Sequence, residues 1–495
     1  MSGRASTDRA VDVTSGKLFK PLLLLAMPIV GSMVLQVAYN IADTYWVGRL
    51  GSDAVAALSY SWAVVFLMVS IGGGLTTAGT VLIAQHKGAD ELAKTHHVAG
   101  QTLSFVTIVA ITFGAIGYLL TPWMMRTIGA DPGGAAYAYA VDYTRVIFVG
   151  VAFMFWFFIY DALSRGWGDT KTPLYLMAIS VAINVVLDPF LILGFEGNPI
   201  FGWVGYEALQ ATLYARTGFD GFGVAGAAYA TVFSRGVAAG IGLFMLFTGR
   251  VGLKPSLGDL VLERETVRRI LDIGAPTAAE QGSRAFGITV LTAVVALAGA
   301  NAVAAYGIAS RLSSLLFLPA LGLARGTETV VGQNLGANQP DRATRTAYLS
   351  SGMIAVVFVA VIALAYPFAE GIAGFFIDSG SPNATEVILM SAGFITIAGP
   401  SYVFLGVFQV LLGTFRGAGS TRTAMIFSIQ ELWLFRIPVA FVLLAVLGMG
   451  ITGVWYAYIV SYVGSALTTI WWFRRGEWTN NVVEDDLPTA KPADD

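Results

Sequence analysis

The stretch Leu18 to Gly48 reads LFKPLLLLAMPIVGSMVLQVAYNIADTYWVG. A helix needs about 20 mostly apolar residues to cross about 30 Å of hydrocarbon, and this run supplies them with residues to spare. It also carries what lipid should not admit. Gln36, Tyr39, Asn40 and Asp43 recur at i, i+3, i+4 and i+7 and so form a polar stripe on one helical face. A membrane helix with such a stripe turns it toward protein or a water-filled cavity. The polar segment before it, residues 1–17, and the lack of a small-residue cleavage site mark a retained membrane helix rather than a removable signal peptide.

The whole chain shares that character. Of its 495 residues 56% are hydrophobic and only 12% charged, and 57 are glycine. Soluble domains carry about twice that share of charge, so an aqueous surface cannot be built here. A net charge of −2 offers nothing to a phosphate backbone, which excludes nucleic acid as a partner. The absence of cysteine removes disulfides, thiolate metal sites and thiol nucleophiles. Apolar runs over 19–47, 54–84, 98–122, 135–163, 173–196, 222–248, 270–298, 303–331, 347–375, 385–412, 423–448 and 451–473 predict twelve transmembrane helices in an all-α polytopic membrane protein. With the N-terminus inside, 20 of the 29 Lys and Arg fall on cytoplasmic segments and only Arg49, Arg126 and Arg216 fall outside. Positive charge collects on the cytoplasmic side, so both termini are placed there. The other six, Arg145, Arg235, Arg284, Arg311, Arg325 and Arg436, lie in spans or at their ends.

Sliding the chain on itself by 248 residues brings out a repeat. Pro28 falls on Pro276, Gly51 on Gly299, Ala54-Val55-Ala56-Ala57 on Ala302-Val303-Ala304-Ala305, and Gln85, Gly88 and Ala89 on Gln333, Gly336 and Ala337. Further on, Arg165-Gly166-x-Gly168-x-Thr170-x-Thr172 falls on Arg416-Gly417-x-Gly419-x-Thr421-x-Thr423 at an offset of 251, and Gly223 with Gly226 on Gly450 with Gly453 at 227. The drop in offset locates an external insertion around Glu196 to Asp220, with a short surface helix expected over Tyr206 to Arg216. Six spans per repeat is an even number, so the two halves are parallel, as in transporters whose halves rock about a shared site. The expected organisation is a cytoplasmic tail 1–17, a first six-helix lobe 18–248, a basic linker 249–269, a second lobe 270–475 and a tail 476–495.

A charge inside a span costs at least about 2.5–3.5 kcal/mol, so each in-span acid is a functional candidate. Asp43 shares the first-span stripe, and Asn184 and Asp188 share a face at i, i+4 in the fifth. Pro189 cannot donate to the carbonyl of Val185, which adds a free acceptor nearby. Thr231 lies at a similar depth in the sixth span, and Tyr143 in the fourth is placed to donate to an aspartate. The repeat is an internal control: Asp43 falls on Leu291, Asp188 near Val439 and Thr231 on Tyr458, so the scaffold alone does not demand acids. Two close carboxylates in a low dielectric hold a proton or share a cation such as Na⁺; the plainer alternative makes each a helix-end cap or the partner of an Arg. Glu280 and Arg284 read as an i, i+4 pair or as a second-lobe cation site. Asp161 reads as the partner of Arg165, Glu328 as that of Arg325, and Arg436 as answering Glu431 or a substrate anion. Enzyme chemistry lacks its parts. His86, His96 and His97 lie on one loop, and no Ser-His-Asp set or phosphate loop is present.

Together, Tyr39-Asn40-Ile41-Ala42-Asp43-Thr44-Tyr45-Trp46-Val47-Gly48, Asn184-x-x-x-Asp188-Pro189 and Gly332-Gln333-Asn334-Leu335-Gly336-Ala337 with its twin resemble the MATE (multidrug and toxic compound extrusion) transporters over about residues 15 to 475. The lack of an acid in the tenth span makes the chain look closer to the DinF-like branch. The resemblance implies a V-shaped transporter of two lobes in the inner membrane, working as a monomer without a cofactor. It implies export of small organic, often cationic, compounds in exchange for H⁺ or Na⁺. It also implies a first-lobe cation site at Asp43, Asn184, Asp188 and Thr231, with Tyr39, Tyr143, Asn40 and Gln36 in support. The rival readings are a lipid-linked glycan flippase of the wider superfamily, which a strongly basic cavity would favour, and an integral-membrane enzyme or channel.

Overall fold

The computed structural model describes residues 10–377 and 383–479. Residues 1–9 and 480–495, with Arg4, Arg9 and Lys491 and the outer parts of both expected tails, lie outside the described residues. Lipid offers the backbone no hydrogen-bond partner, so the chain satisfies its amides within helices. The first half holds α1 (Phe19–Gly48), α2 (Ser52–Gly88), α3 (Leu92–Thr127), α4 (Ala135–Val149), α5 (Val151–Trp167), α6 (Lys171–Leu193), α7 (Pro199–Trp203), α8 (Glu207–Thr217) and α9 (Val224–Phe247). The second holds α10 (Arg264–Ala296), α11 (Ala300–Gly336), α12 (Pro340–Ala365), α13 (Ala369–Gly374), α14 (Ala384–Gly393), α15 (Tyr402–Gly417), α16 (Thr421–Ile429), α17 (Ile437–Phe441) and α18 (Gly450–Phe473). No strand occurs among the described residues.

Among the described residues nine helical stretches are long and apolar enough to cross a bilayer, or ten if the bent pair α4 and α5 is one span. The other two expected spans, 270–298 and 451–473, are helical as α10 and α18 but less apolar. α10 carries Glu280 and Arg284, and α18 is rich in Trp and Tyr. The expected single span 135–163 bends by 54° at Gly150. A Cβ there would lie 2.3 Å from the side chain of Val232, so close passage of α9 requires the glycine. The runs 385–412 and 423–448 are interrupted by wide π turns at Phe394–Ala398, Gln430–Arg436 and Val442–Val446. In the insertion, α8 forms where a surface helix was expected, and none of its side chains is buried.

The packing divides into two cores, one built from residues between Tyr39 and Ile273 and one from residues between Leu291 and Trp478 with Ala26. Leu22 and Leu25 at the start of α1 pack on Val330 of α11, so the first helix begins against the second core. Pro28 removes a helix bond from the carbonyl of Leu24, and the hydroxyl of Thr170 donates to that carbonyl instead. The linker is held to α3 by Gln101, which donates to the carbonyls of Asp259 and Val261 and accepts from the amide of Glu263. Hydrogen bonds from Ser256 hold the Asp259 carboxyl below its usual range, and His97 adds another.

The two halves join at the end that carries most of the Lys and Arg. Gln85 donates to the carbonyl of Gly417 at 3.0 Å, and its repeat partner Gln333 donates to the carbonyl of Gly166 at 2.8 Å. Each Gln thus reaches across to the other half's Arg-Gly-x-Gly turn. α2 and α11 cross there so closely that a Cβ on Gly88 would lie 2.0 Å from the Gln333 oxygen, and one on Gly336 1.9 Å from the Gln85 oxygen. The segment before α1 lies over this joint. The amide of Val11 donates to Gly168 of the first half, while Asn334 and Arg342 of the second donate to the carbonyl of Val13. Further along α2, Gly74 meets Ala278 of α10, a second close approach between the halves. The halves are closed on each other at the basic end.

Gly336→Val should therefore leave each core folded and force the basic ends apart by at least ~1.5 Å, because normal contacts begin near ~3.5 Å. The natural chain has no cysteine, so spin labels on cysteines introduced at Ala89 and Ala337 read this distance cleanly. An unchanged distance would contradict the described joint.

Candidate functional site

The stripe on α1 divides in two. Tyr39 and Asp43 are buried against α6 and α9, whereas Gln36 and Asn40 are half-buried and bonded to each other at 3.1 Å. From α6, Asn184 and Asp188 are fully buried, and the Asn184 amide donates to the Asp188 carboxylate at 3.0 Å. From α9, the Thr231 hydroxyl is hydrogen-bonded to the Tyr39 hydroxyl. The Asp43 carboxylate faces Asp188, Tyr39 and Asn184, and Tyr143 on α4 faces both carboxylates. Four helices distant in sequence thus bring Asp43, Asn184, Asp188 and Thr231 together with Tyr39 and Tyr143.

Three oxygens of this cluster, Asp43 Oδ1, Asn184 Oδ1 and Asp188 Oδ2, are buried without any hydrogen-bond partner. Buried polar atoms are almost always paired, so three unpartnered acceptors among facing side chains suit a positive ligand. Every donor in the cluster is oxygen, with no imidazole or sulfur, which suits a proton or a hard monovalent cation. Asn40 does not join them. It lies with Val37, Ile41, Thr44 and Tyr45 along the exposed face of α1.

Arg235, an in-span arginine that stood outside the expected cation site, completes the cluster. It is buried on α9 one turn after Thr231, donates to the Gln36 side chain and lies over the rings of Tyr39 and Phe157, 5.5 and 4.9 Å from their centroids. The i+4 spacing from Thr231 was the available signal.

In the second half Glu280 pairs with Arg416 on α15 at 2.5 Å, not with Arg284. Arg284 lies instead over the ring of Phe317 at 4.6 Å. Helical spacing allowed either direction, and the Glu280 side chain turns inward, where the Arg-Gly-x-Gly turn brings a guanidinium. Glu280 therefore stands apart from the first-half cluster, and its Oε2 is buried without a partner. Asp161 holds Arg165 at 3.0 Å, as the spacing suggested. Glu328 faces Arg165 and Arg416 as well as Arg325. Arg436 pairs with Glu431, donates to Ser461 and lies over the rings of Tyr458 and Tyr462. The histidines go separate ways: His86 to Glu91, His97 to Asp259 and Glu263, and His96 to the amide of Lys254.

The MatE family model matches residues 28–190 and 276–442, one copy in each half. "Probable multidrug resistance protein YoeA" of Bacillus subtilis is 29% identical over 457 residues, covering 91% of this chain and 92% of its own length. "Probable multidrug resistance protein NorM" of Thermotoga maritima is 28% identical and covers 94% of each. A solved structure described as "Crystal structure of MATE in complex with MaL6" superposes with a TM-score of 0.84 at 24% identity, over 96% of this chain and 99% of that one.

The pairing of Glu280 predicts how stability responds. Glu280→Gln and Arg416→Gln should each cost about 3 kcal/mol, since removing one partner leaves a buried charge uncompensated. Thermal unfolding of the two single variants and the double should show strong coupling between these residues and little between Glu280 and Arg284. The reverse pattern would restore the i, i+4 pair.

Proposed function

Because the chain belongs to the MatE family of membrane transporters, we propose that it exports organic, often cationic, compounds across the cytoplasmic membrane in exchange for H⁺ or Na⁺, acting as a monomer by alternating access. The observation that carries this reading is the set of three unpartnered oxygens on Asp43, Asn184 and Asp188, closed in by Tyr39, Tyr143 and Thr231. Two carboxylates that face each other out of water repel unless a positive charge comes between them. A proton on the pair, or a sodium ion among the oxygens, removes that repulsion and lets α1 and α6 draw together.

Helix α1 carries both halves of the exchange. Its buried face holds Tyr39 and Asp43, and its opposite, exposed face carries Asn40, Ile41, Thr44 and Tyr45. A shift of α1 on loading the buried face therefore moves the exposed face with it. In the orientation that places Lys and Arg in the cytoplasm, the joint of Gln85 and Gln333 closes the cytoplasmic side. Cation entry from outside expels the compound, and release of the cation to the cytoplasm resets the pair. The part of the chain's chemistry that points to antiport rather than to a glycan flippase is the acidic character of this buried cluster.

The test is transport by the purified protein in liposomes, with a fluorescent organic cation and separately imposed H⁺ and Na⁺ gradients. One gradient should drive dye movement and so name the ion, and Asp43→Asn and Asp188→Asn should each slow it by at least about tenfold, a change of roughly 1.4 kcal/mol in the driving interaction. Equal transport by both variants and the parent would remove the carboxylates from the mechanism.

A further inference from the structure

The buried arginines of the described spans differ in what they hold. Arg165 has Asp161, Arg416 has Glu280 and Arg436 has Glu431. Arg235 is buried to the same degree, yet among the described residues it forms no ion pair. Its guanidinium meets the Gln36 side-chain oxygen, the Met177 sulfur at 2.9 Å and the faces of Tyr39 and Phe157. A guanidinium never gives up its proton, so this is a permanent positive charge in a dry pocket. Its countercharge has to come from near by.

The candidates can be counted helix by helix. From α5 the carboxylate near enough to act on Arg235 is Asp161, which Arg165 already occupies. From α4, Tyr143 is uncharged, Asp142 is exposed, and Arg145 turns away to the ring of Tyr118. α2 has no charged residue between Asp53 and His86. There remain Tyr39 and Asp43 on α1 and Asp188 on α6, together with the neutral Asn184 and Thr231. The repeat gives independent support. At the offset of 227 Arg235 falls on Tyr462, in the half where Asp43 and Asp188 have also been lost. The matched position carries arginine only in the half with the carboxylate pair, and the second half's own buried guanidinium, Arg436, comes from another position and is neutralised by Glu431.

Two negative charges and one positive leave the cluster one charge short of neutral. We propose that Arg235 is the fixed countercharge of the Asp43–Asp188 pair and that it sets the exchange at one monovalent cation per cycle. The proposal rests on the reading that this pair binds the coupling cation. Without Arg235 the pair alone reaches neutrality only with two cations, because a lone uncompensated charge is strongly disfavoured out of water. Arg235 is therefore a positioning residue that acts through the carboxylates.

The exchange ratio can be read at zero membrane voltage. In liposomes of the full-length protein, the dye gradient at which net flux stops equals the cation gradient raised to the number of cations exchanged. A tenfold cation gradient should therefore hold about a tenfold dye gradient for one cation and about a hundredfold for two. The wild type should balance at about tenfold. Arg235→Met, whose straight apolar chain fills the slot between Tyr39, Phe157 and Met177, should balance at about a hundredfold. Arg235→Lys should return to about tenfold. A folded Met variant that balances like the wild type overturns the proposal, as does a Lys variant at a hundredfold. A wild-type balance near a hundredfold overturns it even if the Met variant does not fold. Asp43→Asn separates the two levels: normal transport in that variant removes the coupling reading itself. If Asp43→Asn is inactive and the Met variant's ratio is unchanged, the role of Arg235 alone falls.

Discussion

Inside a bilayer a polar atom finds its partner within the protein or goes without. That constraint accounts for most of this molecule. Backbone amides are spent on helices, and the carbonyl of Leu24 that Pro28 frees is answered by the Thr170 hydroxyl. The buried glutamines Gln85 and Gln333 find the carbonyls of Gly417 and Gly166 in the opposite half and so join the two cores. Because the partners are exchanged by the repeat, the joint is a pseudo-twofold one, and the glycines beside it exist to let α2 and α11 come that close. Asp43, Asn184 and Asp188 are where the same constraint is left unmet on facing side chains.

The two halves show how one scaffold has been put to different uses. At matched positions the first half has Asp43, Thr231 and Arg235, and the second has Leu291, Tyr458 and Tyr462. The second-half core replaces an oxygen cluster with packed rings, Phe394, Tyr402, Tyr458 and Tyr462 among them, around a guanidinium that Glu431 already neutralises. There Arg436 is closed on Glu431, as Arg416 is on Glu280. In the first-half cluster Asp43, Asp188 and Arg235 leave one charge uncompensated, and the proposed exchange of a cation rests on that asymmetry.

Much of this was legible in the sequence, for physical reasons. Length and apolarity mark helices that must cross lipid, the offset of 248 survives because the same turns and crossings are built twice, and i, i+4 spacing groups Asn184 with Asp188 on one face. Contacts between helices were harder. Glu280 has Arg284 one turn away but pairs with Arg416, 136 residues on, because the direction in which a side chain leaves its helix is set by packing that spacing does not encode. Gly150 looked like an ordinary interior residue until the passage of α9 explained the 54° bend. Arg235 was visible as an in-span arginine, yet its place beside Tyr39 and Gln36 depends on how α9 meets α1.

The central claim is that a single exchangeable cation and an organic cation are linked through the first-half carboxylates. The most direct measurement mixes the purified protein with an organic cation in a weakly buffered solution and follows H⁺ and Na⁺ with ion-sensitive dyes. The account predicts that binding displaces about one H⁺ or Na⁺ per protein, and that Asp43→Asn combined with Asp188→Asn abolishes the displacement. Binding of the organic cation with no ion released, or with the same release from the double variant, would contradict it.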